Sequence, residues 1–271
     1  GTARLQGKPG SSDAVRRALR GRLPGKWRVE TTKRAAVVRR TGGLPGGAPW
    51  THESGGPGNT FSNDEKRANP PFGVLWFGGR IDTLWPEAGF NTHQRPPHPL
   101  VSRGRMYFIL HETVHAVDVF TGRPLWSYEL NRSPKTRARS RGHFIARRNT
   151  ADNYIVTPDV LYILRQSSCL KLDAATGEKR GVLSTPDALR SSPGDADSGG
   201  PTWSEARILG SHLLVAADGR LLCMDRRSGE LQWTMEPKRE RLSFAAGDGL
   251  VLTAGHWPPA RSRREDGWQK H

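Results

Sequence analysis

Residues 116–126 read AVDVFTGRPLW, and the phrase returns as KLDAATGE at 171–178 and CMDRRSGELQW at 223–233. Each copy has an aspartate (Asp118, Asp173, Asp225), two variable residues, a hydroxyl residue (Thr121, Thr176, Ser228) and a glycine (Gly122, Gly177, Gly229). The aspartates are 55 and 52 residues apart. Self-similarity at a near-fixed period marks a repeat architecture, and that decides the fold class before any single element is assigned.

The residues of the phrase suit a turn. A carboxylate can accept backbone N–H groups from the residues that follow it. The hydroxyl adds a second acceptor, and glycine takes a positive φ without Cβ strain. Ahead of each phrase runs an apolar stretch: MYFIL at 106–110, VLYIL at 160–164 and HLLVAA at 212–217. Such runs, bounded by turn residues, read as buried strands. A second short strand then ends at the aspartate, and the glycine closes a short hairpin. Trp126 and Trp233 follow in the next strand, while the middle copy has Gly181 near that place. The unit is a four-stranded antiparallel sheet with one aromatic anchor. It cannot bury both faces alone, so neighbouring units must stack as the blades of a propeller.

The pattern of apolar strand, aliphatic-x-Asp-x-x-Thr-Gly and following Trp resembles the repeat of pyrroloquinoline-quinone (PQQ)-like, quinoprotein alcohol dehydrogenase-like β-propellers. WTHESGGPGNTFSNDEK, PPFGVLWFGG, GHF, NYIVTPDVLYIL and GGPTW, within roughly residues 50–255, resemble the planctomycete-type PQQ-binding-like propeller family. The resemblance implies a parent of seven or eight blades, an extracytoplasmic location, and PQQ with calcium as a possible cofactor. No segment lets the dehydrogenases' catalytic Asp, calcium ligands or Trp floor be carried over by position. Cys169 and Cys223 are not adjacent, so they do not match the vicinal pair of those enzymes.

The expected organisation is a basic leader of low order at 1–48, propeller repeats at 49–255 and a polar tail at 256–271. At about 50 residues per blade, 271 residues hold an incomplete propeller of about four to five blades, read as a fragment of a longer chain. A strand pair is expected near 244–254 and an opening blade near 72–77. Residues 1–10 read as disordered and 12–22 as a short helix with Val15 and Leu19 on one face; 27–40 reads as a weak strand. Residues 42–71, 78–99 and 185–202 read as loops. His93, His98 and His143 lie in loops, where they could line a channel.

Net charge is +16, but it is concentrated. Residues 1–48 carry twelve Lys or Arg against two acids, and 132–148 carry seven basic groups and no acid. The leader could therefore touch nucleic acid or an anionic surface, although no nucleic-acid-binding motif accompanies it. No run is long and apolar enough for a membrane span, and no signal-peptide pattern is present. Cys169 and Cys223 read as small buried residues; spacing alone does not show whether they form a disulfide.

One motif competes. His111, Glu112 and His115 match His-Glu-x-x-His, which on a helix would place two imidazoles on a zinc ion with the glutamate as general base. Here it sits between two strand patterns and Phe-Thr-Gly follows at 120–122. No third ligand is evident at a familiar spacing; Glu129 lies 14 residues past His115. On a strand, His111 and His115 share one face and Glu112 points to the other. The residues favour a non-catalytic propeller module that binds a protein or small-molecule ligand at its top-face loops. A quinoprotein oxidoreductase fragment is the second reading and a zinc protease the third.

Overall fold

The computed structural model describes residues 2–6, 12–22, 26–31, 35–40, 43–76, 98–110, 113–130, 154–165, 167–186, 189, 201–236 and 241–256. Three sheets have four antiparallel strands each, in simple sequential order. The first is built from β4 (Leu100–Ser102), β5 (Arg105–Leu110), β6 (Thr113–Asp118) and β7 (Pro124–Glu129). The second has β8 (Tyr154–Val156), β9 (Val160–Arg165), β10 (Ser168–Asp173) and β11 (Lys179–Ser184). The third has β12 (Trp203–Leu209), β13 (His212–Ala217), β14 (Arg220–Asp225) and β15 (Leu231–Met235). β16 (Arg241–Gly247) and β17 (Leu250–His256) form a two-stranded sheet. The fold is an incomplete β-propeller of four-stranded blades, as the repeat requires.

The three phrases build the same turn, nearly atom for atom. Asp118 Oδ1 accepts the N–H groups of Phe120 at 3.0 Å and Thr121 at 3.1 Å. Asp173 Oδ1 accepts those of Ala175 at 2.7 Å and Thr176 at 2.9 Å. Asp225 Oδ1 accepts those of Arg227 and Ser228, each at 2.8 Å. The hydroxyls of Thr121, Thr176 and Ser228 then accept the N–H two residues on. Gly122, Gly177 and Gly229 sit at φ of 67°, 78° and 81°. Each donates its N–H back to the carbonyl of the turn's own aspartate.

Tryptophan is layered over two of these turns. Trp76 Nε1 donates to the Val119 carbonyl at 2.9 Å, and Trp126 Nε1 donates to the Ala174 carbonyl at 3.3 Å. Each acceptor is the residue after the turn's aspartate. The Tyr107 hydroxyl donates to the same Ala174 carbonyl at 2.8 Å, with its ring 5.9 Å from that of Trp126. Burial pushes the Tyr107 hydroxyl up to about 12, against the opposing pull of Arg105. The indoles lie so close that a Cβ on Gly122 would meet Trp76 at 2.4 Å, and one on Gly177 would meet Trp126 at 2.5 Å. The middle copy has Gly181 instead of Trp, and there Leu183 lies 3.1 Å from the site of a Cβ on Gly229. Trp233 holds the place of Trp126 in the third blade and is exposed.

The chain divides into two compact units, one of Gly1–Ile163 with Leu170–Gly181, the other of Leu164–Cys169 with Val182–His271. The core of the first joins Tyr107, Val114 and Ala116 to Tyr154, Leu161 and Leu172. That of the second joins Leu214, Leu221 and Cys223 to Leu242 and Phe244. Also in the second, Trp203 is fully buried and its Nε1 donates to Thr185 Oγ1 at 2.9 Å. Each buried Leu or Val contributes about 1.5–3 kcal/mol.

The amino-terminal region departs from the expected disorder. β1 (Thr2–Gln6), β2 (Trp27–Thr31) and β3 (Ala35–Arg40) form a sheet of order β1-β3-β2. The helix is α1 (Ser12–Leu19), and its Val15 and Leu19 pack on Val29, Ala36 and Val38. The single weak strand expected at 27–40 is thus an antiparallel pair, with Val29 opposite Val38. Val29, Ala36 and Val38 supply the buried face, while Arg28, Glu30 and Arg39 are exposed. Residues 72–76 belong to no strand, so the opening blade expected there is corrected to an extended segment anchored by Trp76.

The contact over Gly177 predicts a specific coupling. Gly177→Ala should cost about 2–4 kcal/mol, from positive-φ strain plus overpacking. In a Trp126→Ala background the same change should cost only about 1 kcal/mol, because strain alone remains. Denaturant unfolding of the four proteins of this double-mutant cycle checks it; additive costs would contradict the contact.

A pH effect follows from the turns. At Asp225 the N–H groups of Ser228 and Arg227 hold the carboxyl below its ordinary 3.8. At Asp173 burial works to raise the carboxyl, but the Thr176 N–H, the Arg180 guanidinium and the Ala175 N–H together prevail and lower it. A carboxyl lowered on folding stabilises fully above its unfolded pKa and loses that effect as pH falls through its folded pKa. Asp225→Asn should therefore lower the Tm near neutrality, with the gap to the parent closing as pH falls below about 4. Melting curves across that range check this; a gap of constant size would contradict it.

Candidate functional site

The repeat's acids and two of its tryptophans are committed to turns and to the packing over them. Functional chemistry has to come from residues that the repeat does not need. His115 lies on β6, opposite Phe108 of β5 and Ser127 of β7, with its ring stacked 5.1 Å from that of Phe108. Residues 105–110 and 113–118 are antiparallel strands, so they lack the helical spacing that the zinc-protease motif uses. His111 and Glu112 lie outside the described residues, as do His93 and His143. Glu129 ends β7. Among the described residues, no three His, Cys, Asp or Glu side chains converge as a metal cage would require.

His98 is the loop histidine that the structure does describe. With Trp50, Pro99 and Val101 it lines an open cleft of about 380 Å³. Trp50 is held there by paired backbone hydrogen bonds with Val101, at 2.9 and 2.8 Å. Its indole Nε1 donates to the Glu53 carbonyl at 3.3 Å. His98 Nε2 lies 3.5 Å from Glu53 Oε1. The cleft offers one aromatic wall and one imidazole. Next to it His52 is buried, its Nδ1 2.8 Å from Thr51 Oγ1.

Two features escape a reading based on the repeat. Phe72 and Leu75 are 76% and 75% exposed, and Phe61 and Val74 are also exposed. Large exposed apolar residues are candidates for a contact surface. The second feature is in the third blade, where Cys223 Sγ lies 3.8 Å from His212 Nδ1 and 3.5 Å from Gln232 Oε1. Burial pushes the Cys223 thiol up. Cys169 and Cys223 are both buried and are not joined in a disulfide. The signal available for this cluster is an imidazole, a thiol and an amide at three places where the sister blades carry none of them.

No helix among the described residues is long and apolar enough to cross a membrane. Comparison with curated protein sequences gives no match. Among solved structures, the chain is similar to BamB from Moraxella catarrhalis, at 16% identity and a TM-score of 0.38, over 56% of this chain and 40% of that one. It is similar to the quinohemoprotein alcohol dehydrogenase from Comamonas testosteroni, at 20% identity and a TM-score of 0.34, over 51% of this chain and 20% of that one. A europium-containing methanol dehydrogenase matches at 16% identity and a TM-score of 0.34, over 50% of this chain and 23% of that one. The chain thus spans well under half the length of each of these proteins. Residues 83–235, more than half of the chain, match the sequence profile of one family. The chain belongs to that family, PQQ_2, described as outer membrane protein assembly factor BamB.

Proposed function

We propose that this chain is a non-catalytic propeller platform that binds a protein partner through its loops, outside the cytoplasm. The observation that carries the reading is the exposed apolar run at Phe72, Val74 and Leu75, with Phe61 on the same long loop segment. These side chains leave water only on contact with something else, and each apolar Å² so covered contributes about 25 cal/mol. Trp76 ties the end of the run to the first blade, so the surface is presented on a fixed support. Membership in a family described as an assembly factor supports a protein partner. The exposed arginines Arg16 and Arg17 of α1, with Arg20 just after it, add a subordinate contact with anionic surfaces.

The competing reading is a quinoprotein oxidoreductase fragment. Calcium in such a site takes six to eight oxygen ligands. Asp118, Asp173 and Asp225 each direct one carboxylate oxygen into their own turn. The described residues offer no converging acidic set in their place. The use of these carboxylates in their own turns favours the platform reading.

Two measurements separate the readings. The chain, mixed with PQQ and calcium and passed over a sizing column, should elute without the cofactor's absorbance; co-elution with alcohol-dependent dye reduction would replace the platform by an oxidoreductase. Phe72→Asp with Leu75→Asp should leave the Tm within a few degrees, since exposed substitutions cost within about 0.5 kcal/mol. The pair should weaken binding of a fluorescent extended apolar peptide by at least about tenfold. Unchanged peptide binding would contradict the assigned surface.

A further inference from the structure

Two exposed polar residues of the third blade, His212 and Gln232, converge on the core cysteine Cys223. His212 opens β13, Cys223 lies on β14 and Gln232 on β15. The register places His212 opposite Asp225 and Leu214 opposite Cys223, so the imidazole and the thiol are diagonal neighbours on one face. Between β14 and β15 the register shifts at Cys223/Met224, because Cys223 pairs with Trp233 and Met224 with Leu231. Gln232 is the extra residue of that bulge, and a bulge re-aims its side chain. It is aimed at the other two: Gln232 Oε1 lies 2.7 Å from His212 Nδ1 and 3.5 Å from Cys223 Sγ.

The blades themselves provide a control. Counted from the turn aspartate, the same three places hold Arg105, Ala116 and Leu125 in the first blade. In the second they hold Val160, Lys171 and Arg180. The first blade has the same bulge, where Ala116 pairs with Trp126 and Val117 with Pro124. A blade therefore forms without thiol, imidazole or amide at these places, and their convergence needs another reason.

We infer that His212 Nδ1, Cys223 Sγ and Gln232 Oε1 form a binding site for a thiophilic divalent cation, Zn²⁺, with its fourth position open to solvent. Tetrahedral zinc with ligands of these types holds its donors about 3.5 Å apart. The thiol-to-imidazole and thiol-to-amide separations, 3.8 and 3.5 Å, already fall near that value. Only the imidazole and the amide must part, by under about 1 Å, and both side chains are exposed. Cys223 is 2% exposed, so the softest ligand sits on the floor and the mobile ones at the mouth. Binding is a balanced exchange. Cys223 gives its thiol proton to water as the S–Zn bond forms. His212 becomes the Nε2–H tautomer through solvent, which frees the Nδ1 lone pair. The Gln232 oxygen turns from hydrogen-bond acceptor to ligand. This site is separate from the His111–His115 motif and stands independently of the platform reading.

The test is zinc titration of the full chain against a competing chelator dye. The parent should bind one equivalent through this site. Cys223→Ala should weaken that affinity by more than about a hundredfold, and Gln232→Leu by about tenfold. Both variants install the first blade's residues, Ala116 and Leu125, and should keep the parent's circular dichroism. In parallel, saturating Zn²⁺ should slow alkylation of Cys223 in a Cys169→Ala chain, a readout that needs no variant at the site. Equal zinc affinity in the parent and a folded Cys223→Ala chain would overturn the site. So would an unchanged alkylation rate, even if Cys223→Ala fails to fold.

Discussion

The structure depends on a glycine that cannot become anything else. At Gly122 and Gly177 the backbone adopts a positive φ and an indole ring occupies the space where a Cβ would stand. Both demands fall on one residue. The aspartate four positions earlier makes the turn possible, because its carboxylate satisfies two N–H groups that would otherwise face a bend without partners. The tryptophan then seals the turn and donates to the carbonyl next to the aspartate. A short local motif thereby becomes the joint between consecutive parts of the chain. The Tyr107 hydroxyl reinforces one joint by sharing the Ala174 carbonyl with Trp126.

This logic commits the turn acids, Trp76 and Trp126 to the fold. Carboxylates that accept turn N–H groups have one oxygen oriented into the backbone. Tryptophans that cover glycines have one face spent. The blade architecture still leaves freedom at places that the turns do not constrain. The third blade uses that freedom for His212, Cys223 and Gln232, and the segment before Trp76 uses it to expose Phe72, Val74 and Leu75.

Legibility in the sequence follows the same division. The blades could be read because Asp, Thr or Ser, and Gly each have a distinct turn role, and because runs such as VLYIL have no solvent-tolerant face. The pair at 244–254 is β16 and β17, joined at Asp248–Gly249 with φ of 49° and 75°. Asp218–Gly219 and Arg103–Gly104 close two further hairpins with the same pair of positive φ angles. Those dipeptides are strong hairpin signals that a reading centred on the longer phrase passes over. The amino-terminal sheet was hidden because its strands are short and rich in arginine, and β1 gains its pairing only from β3 some thirty residues away. The role of Phe72–Trp76 was hidden because Trp76 anchors the segment through a side chain, not through strand pairing. The Cys223 cluster depends on a bulge, which shifts Gln232 out of simple alternation.

The central claim is that each acid-capped turn is a local structure locked by the group lying over its glycine. Amide hydrogen exchange of the folded chain measures this most directly. The account predicts that the N–H groups of Gly122, Gly177 and Gly229 are all protected, and that Trp126→Ala speeds exchange at Thr176 and Gly177 while leaving Ser228 and Gly229 unchanged. Fast exchange at all three turns in the parent chain, or an effect of Trp126→Ala spread evenly over them, would contradict it.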